Sequence, residues 1–115
     1  MVEDTAAVRA IARQLLERQG YTVLEAIDGP TALSLAARHE GPIHLLLTDL
    51  VMPEMNGRQL AEQLTSVRPD MKVVYMSGYA DDAVMKRGVA YLEKPFTPAG
   101  LARTLREVLD SSPES

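Results

Sequence analysis

The stretch Ile43-His44-Leu45-Leu46-Leu47-Thr48-Asp49 is almost continuously apolar and closes on a carboxylate. A half-exposed strand would alternate apolar and polar residues. An uninterrupted run of this length suits a strand covered on both faces, as in a parallel sheet. Gly41-Pro42 precedes it as a breaker, and Met52-Pro53-Glu54-Met55-Asn56-Gly57 follows as a loop. Working outward, the pattern alternates between two kinds of segment. On the amino-terminal side, Val8, Ile11, Ala12, Leu15 and Leu16 repeat at helical spacing from Thr5 to Gln19, and Gly20 is the stop. Tyr21 to Ala26 reads as a short strand. Asp28-Gly29-Pro30 is a turn opening a helix that runs to Arg38, with Ala32, Leu33 and Ala36 inward. On the carboxyl-terminal side, Leu60, Ala61, Leu64 and Val67 mark a helix that Pro69-Asp70 ends. Lys72 to Met76 is a strand with Ser77-Gly78 at its end, and Asp81 to Arg87 reads as a short helix. Ala90-Tyr91-Leu92-Glu93 is a strand that ends at Lys94-Pro95. Thr97-Pro98 then opens a last helix carrying Leu101, Leu105, Val108 and Leu109.

Strict alternation of strands and helices predicts an α/β fold, a parallel sheet with helices on both faces. The 115 residues predict one domain, spanning 1–109, with 110–115 as a polar tail. A chain of this size buries roughly two-thirds of its unfolded surface. Hydrophobic content of 46% and charged content of 24% are those of a globular chain rather than a disordered one. The absence of cysteine removes disulfides, zinc ribbons and thiol nucleophiles from consideration. No apolar run approaches the roughly 18 residues of a membrane span, which predicts a cytoplasmic domain without membrane contact of its own. The net charge of -4 and the aromatic content of 4% argue against direct nucleic-acid binding.

In parallel sheets of this kind, functional groups collect beyond the carboxyl ends of the strands. That rule selects Asp49, Ser77 and Lys94, with Glu3 and Asp4 in the matching position at the front of the chain. Three carboxylates in one crevice repel, and a hard divalent cation such as Mg²⁺ relieves the repulsion. A carboxylate can also accept a phosphoryl group as an acyl phosphate. The oxygens of that group are then matched by a cation, a lysine and a hydroxyl. Taken singly, each of these residues is an ordinary surface group, and only their joint placement at successive strand ends carries weight. His39 and His44 lack metal-ligand spacing, and the methionines read as packing or loop residues.

The segments Val2-Glu3-Asp4, Leu46-Leu47-Thr48-Asp49-Leu50-Val51-Met52-Pro53 with Asn56-Gly57, Met76-Ser77-Gly78, and Tyr91-Leu92-Glu93-Lys94-Pro95-Phe96 together resemble the response-regulator receiver domains of two-component signalling. The resemblance runs from Val2 to about Leu109. It implies a flavodoxin-like, doubly wound, five-stranded parallel sheet in the order 2-1-3-4-5. It also implies that Asp49 is the phosphoacceptor, receiving its phosphoryl group from a phosphohistidine of a histidine kinase or phosphotransfer protein. Mg²⁺ would be held by Asp4, Asp49, the backbone carbonyl of Val51 and, through water, Glu3. Ser77 and Lys94 would contact the phosphoryl oxygens, Ser77 and Tyr91 would form the switch, and Lys94-Pro95 would be a cis bond. Such a domain catalyses only its own phosphorylation and dephosphorylation. Ser77-Gly78-Tyr79 and Lys94-Pro95-Phe96-Thr97-Pro98 look like receivers attached to hybrid sensor histidine kinases, whose parent chain can be membrane-anchored. The chain departs from the pattern at its front, where only Met1-Val2 precede Glu3, so the first strand is expected to be truncated.

Two other readings compete. An aspartyl-phosphate phosphatase acting on small metabolites needs a second acid two residues after its nucleophile, where this chain has Val51. A receiver-like interaction module that is not phosphorylated would be expected to lack Asp49 or Lys94, and both are present.

Overall fold

A computed structural model of the chain describes residues 1–50, 52, 54–77, 90–93 and 96–110. Its elements, in chain order, are α1 (Ala6–Arg18), α2 (Gly29–Arg38), β1 (Leu45–Asp49), α3 (Gly57–Val67), β2 (Lys72–Ser77), β3 (Ala90–Glu93) and α4 (Pro98–Asp110). The apolar run that decides the fold becomes β1. It pairs in parallel with β2 from Leu45↔Lys72 to Asp49↔Met76, and β2 pairs in parallel with β3 from Val74↔Ala90 to Ser77↔Glu93. Successive side chains of a strand point to opposite faces, and the core divides accordingly. Leu46, Leu50 and Tyr75 pack with Ala32 and Ala36 of α2 and with Leu60, Ala61 and Leu64 of α3. Leu47, Val74, Met76 and Leu92 pack with Leu16 of α1 and with Leu101 and Leu105 of α4. The sheet is therefore covered on both faces, which is why β1 has no polar alternation.

The helix ends follow local chemistry. Asp28 accepts a hydrogen bond from Thr31 N–H at 2.8 Å and caps α2. Asn56 and Gln59 form a reciprocal capping box on α3. Thr97 Oγ1 accepts from Gly100 N–H at 2.9 Å at the start of α4. Gly20, at φ 93°, ends α1 with its N–H on Glu17 O while Tyr21 N–H reaches Leu16 O. That pair of bonds is a Schellman motif, and the positive φ suits glycine.

The front of the chain differs from the sequence expectation. Tyr21–Ala26 does not form a strand. Only Ala26 pairs, through an isolated parallel bridge to Val2, and Val2 makes a second parallel bridge to Thr48. Among the described residues the sheet is three-stranded, in the order β1-β2-β3, and Val2 and Ala26 extend it by single bridges rather than by two further strands. What the short segment does make is well formed. Val2 N–H donates to Leu47 O at 2.7 Å, Asp49 N–H to Val2 O at 3.0 Å, and Glu3 N–H to Ala26 O at 3.1 Å. The acidic pair is thereby held at the carboxyl end of β1. Helix α4 includes Asp110, one residue beyond the expected domain end. The expected Asp81–Arg87 helix, Val51, Lys94, the Lys94-Pro95 bond and the tail 111–115 lie outside the described residues.

Candidate functional site

Asp49 terminates β1 and is 3% exposed, and Glu3 is wholly buried while Asp4 is exposed. One carboxylate oxygen from each of the three lies within 4.8 Å of the others. Neither placement is accidental. Asp49 is fixed by its N–H on Val2 O and by Leu50 N–H on Met76 O at 2.8 Å, so the Val2 bridge on one side and β2 on the other clamp the end of β1. Thr48, also buried, donates its hydroxyl to Asp49 O at 3.0 Å. Glu3 Oε1 accepts from Thr5 N–H at 3.1 Å, ahead of α1, and the Arg9 guanidinium donates to Glu3 O at 2.9 Å. Arg9 is in turn paired with Glu25. The first turn of α1 and the Glu25 segment together steady the backbone that carries the acidic pair.

Three carboxylates this close, two of them buried, form a donor set of hard oxygens around one point. A small divalent cation with a preference for oxygen ligands fits the set. Gly57 supplies a contact that sequence reading did not single out. Its N–H donates to Leu50 O at 2.9 Å, and a Cβ built on it would sit 2.2 Å from Asp49 O. The start of α3 therefore lies against the backbone of Asp49, at a distance only glycine permits. Glu54, in the intervening loop, takes φ 68°, an uncommon conformation for a non-glycine residue.

Of the other expected site residues, Ser77 ends β2, one position beyond Met76, which is the partner of Asp49. Tyr91 lies in β3, opposite Tyr75 of β2. Their strands bring the ends of β1, β2 and β3 side by side, as the rule for parallel sheets requires. Val51 and Lys94 lie outside the described residues.

Comparison with known proteins assigns the class. The family model for the response regulator receiver domain matches residues 1–106, and the chain belongs to that family. It is 39% identical over 115 residues to the sensor kinase CckA of Brucella abortus, covering 96% of this chain but only 12% of that protein. It is 34% identical to the response regulator receiver protein CpdR of the same organism, covering 95% of this chain and 93% of CpdR. Among solved structures, the receiver domain of the hybrid histidine kinase CckA superposes with a TM-score of 0.81 at 37% identity, covering 95% of both chains. A CheY-like receiver domain protein of Methanospirillum hungatei gives a TM-score of 0.82 at 32% identity, covering 95% of this chain and 90% of that one. The protein is thus a receiver domain of two-component signalling with the CheY-like fold. No helix among the described residues is long and apolar enough to cross a membrane.

Proposed function

We propose that Asp49 is the phosphoacceptor of this receiver. The observation that carries the reading is the convergence of Glu3, Asp4 and Asp49 within 4.8 Å at the carboxyl end of β1. In the reaction, an Asp49 carboxylate oxygen attacks the phosphorus of a phosphohistidine on a histidine kinase or phosphotransfer protein. The new O–P bond forms as the P–N bond breaks, and the electron pair passes to the departing imidazole nitrogen, which takes up a proton. Glu3, Asp4, Asp49 and the Val51 carbonyl would hold Mg²⁺, which when bound neutralises charge on the phosphoryl oxygens. Ser77 and Lys94 contact the same oxygens, and the burial of Asp49 restricts water at the acyl phosphate.

The new dianion draws Ser77 toward it, and Tyr91 follows into the space released. That couples a local electrostatic event to a protein-interaction face formed by the expected Asp81–Arg87 helix, the Tyr91 strand and α4. The receiver unit comprises 1–109 in this reading, and its catalysis is confined to its own phosphorylation and dephosphorylation. Similarity to the receiver of a sensor kinase supports a setting within a hybrid histidine kinase, and similarity to CpdR over nearly its full length supports a free-standing regulator. Both settings use the same chemistry, in the cytoplasm.

Incubation with acetyl phosphate and Mg²⁺ followed by intact-mass spectrometry tests the assignment. The expected result is a phosphate adduct on the parent chain and none on Asp49→Asn, which keeps the shape but loses the nucleophilic carboxylate. An undiminished adduct on the variant refutes it.

A further inference from the structure

Asp4 is the exposed member of the acidic triad, and its carboxylate has no hydrogen-bond or ion-pair partner among the described residues. Its place beside Glu3 and Asp49 is therefore set by its backbone. Asp4 sits at a bend ahead of α1, outside the sheet. A single residue bonds the carbonyls on both sides of it. Arg9 donates from Nη1 to Glu3 O at 2.9 Å, and its backbone N–H donates to Thr5 O at 2.9 Å. The guanidinium is held in turn. Its Nε lies 3.4 Å from Glu25 Oε1, the other Glu25 oxygen accepts from Arg13 Nη1, and Arg13 Nε reaches Glu17 at 3.1 Å. Glu25 directly precedes Ala26, whose carbonyl accepts from Glu3 N–H at 3.1 Å. The main chain of Glu3 is thus bonded at its N–H by the Glu25-Ala26 segment and at its carbonyl by the arginine that Glu25 holds. Two arginines and two glutamates also balance in charge, so the guanidinium orients the acidic pair without placing an uncompensated cation beside it.

We propose that Arg9 is a positioning residue of the acidic site: through its bonds to Glu3 O and Thr5 O it holds the Asp4 carboxylate at the point where the three acids meet. A planar guanidinium donates to a carbonyl and pairs with a carboxylate in one fixed geometry. Hydrogen bonds from a charged donor are also roughly twice as strong as neutral ones. The Arg9 side chain is 18% exposed, so water competes little for these bonds. Mg²⁺ demands near-ideal octahedral geometry, and an Asp4 free to swing would be a poor ligand. The effect on the cation rests on the reading that Glu3, Asp4 and Asp49 hold Mg²⁺; the ordering of Asp4 does not. Loss of a group that orients a metal ligand costs about 10- to 100-fold in metal affinity. Charge alone predicts the opposite sign, since deleting a cation near three carboxylates strengthens their hold on another cation. The direction of the change therefore separates positioning from electrostatics.

Arg9→Met keeps the aliphatic stem and removes both guanidinium contacts. Two quantities are read in the 115-residue chain, with urea denaturation confirming that each variant is folded. The first is the ¹⁵N order parameter of the Asp4 amide without metal, expected to fall from the rigid range near about 0.85 to below about 0.6. The second is the Mg²⁺ dissociation constant from an amide-shift titration, expected to rise about tenfold. Arg68→Lys loosens the far ends of α2 and α3 instead, and should keep the parent order parameter and affinity. An Asp4 amide as rigid in Arg9→Met as in the parent overturns the proposal, as does Mg²⁺ binding that is unchanged or tighter. Equal weakening in Arg68→Lys also overturns it, because lost overall stability would then be the cause. A parent chain that binds no Mg²⁺ refutes the metal reading instead, and the order parameter of Asp4 still decides the role of Arg9.

Discussion

Gly29 and Gly57 are each the first residue of a helix, α2 and α3, so Gly→Ala at either changes backbone freedom in a similar way. Their surroundings differ. A Cβ on Gly57 would lie 2.2 Å from Asp49 O and 3.1 Å from both Asp49 C and Leu50 Cα. These are backbone atoms locked by the β1 ladder and cannot rotate aside. Against an ordinary contact of about 3.5 Å, α3 or the end of β1 must shift by about 1 Å. The nearest atoms to a Cβ on Gly29 all belong to the Met55 side chain, with Sδ at 2.8 Å, Cβ at 3.0 Å and Cγ at 3.1 Å. The sulfur and Cγ can rotate aside, and the Cβ needs to give by only a few tenths of an ångström. Helix propensity offers at most about 1 kcal/mol in favour of alanine, whereas overpacking against rigid atoms costs about 1–3 kcal/mol. Gly57→Ala should therefore lose about 1–2 kcal/mol in urea denaturation, with Gly29→Ala within about 1 kcal/mol of the parent. Because the shift falls on Asp49 itself, labelling by acetyl phosphate should slow by about ten- to a hundredfold in Gly57→Ala and stay near the parent rate in Gly29→Ala. Parent-like stability and labelling in Gly57→Ala would show that α3 does not set the position of Asp49.

Further outcomes follow from the same geometry. Asp4→Ala should abolish millimolar Mg²⁺ binding followed by amide shifts, and unaltered binding would remove Asp4 from the ligand set. Burial lowers the pKa of the Met1 ammonium from 8.0 to about 6, opposed by Glu25. The unfolded chain then holds a proton that the native chain has released between those values, so stability should rise with pH across that window, by roughly 2–3 kcal/mol. Acetylation of the amino group should flatten that rise, and denaturation curves at pH 6 and 8 that leave it intact would refute the assignment. Arg68 donates to Ala36 O, His39 O and Gly41 O at 2.9–3.0 Å, joining the end of α3 to the end of α2. Lysine cannot reproduce this fork, and Arg68→Lys should lower stability by about 1–3 kcal/mol in the same assay.

The sequence by itself determined most of what is periodic or local. The apolar run before Asp49 was readable as a doubly covered strand because its composition reports burial on both faces. Gly20 and Asp28-Gly29-Pro30 marked helix ends because their chemistry acts within a few residues. The placement of Asp49 and Ser77 at neighbouring strand ends followed from alternation alone, and the acidic pair was expected in the same crevice.

Tertiary structure decided what depends on partners distant in the chain. Tyr21–Ala26 has strand-forming residues, yet it pairs only at Ala26, because a strand needs a neighbour and Met1-Val2 supplies one bridge. Glu3 taken alone reads as an ordinary surface group, and its complete burial is seen only in the folded chain, where its N–H is bonded to Ala26 O. Gly57 reads as a loop residue until the Asp49 carbonyl is placed against it. Nothing local marks Arg68, whose hydrogen bonds reach back 27 to 32 residues. Local pattern encodes which face of an element is apolar; which backbone groups meet across the sheet is fixed only when the chain closes on itself.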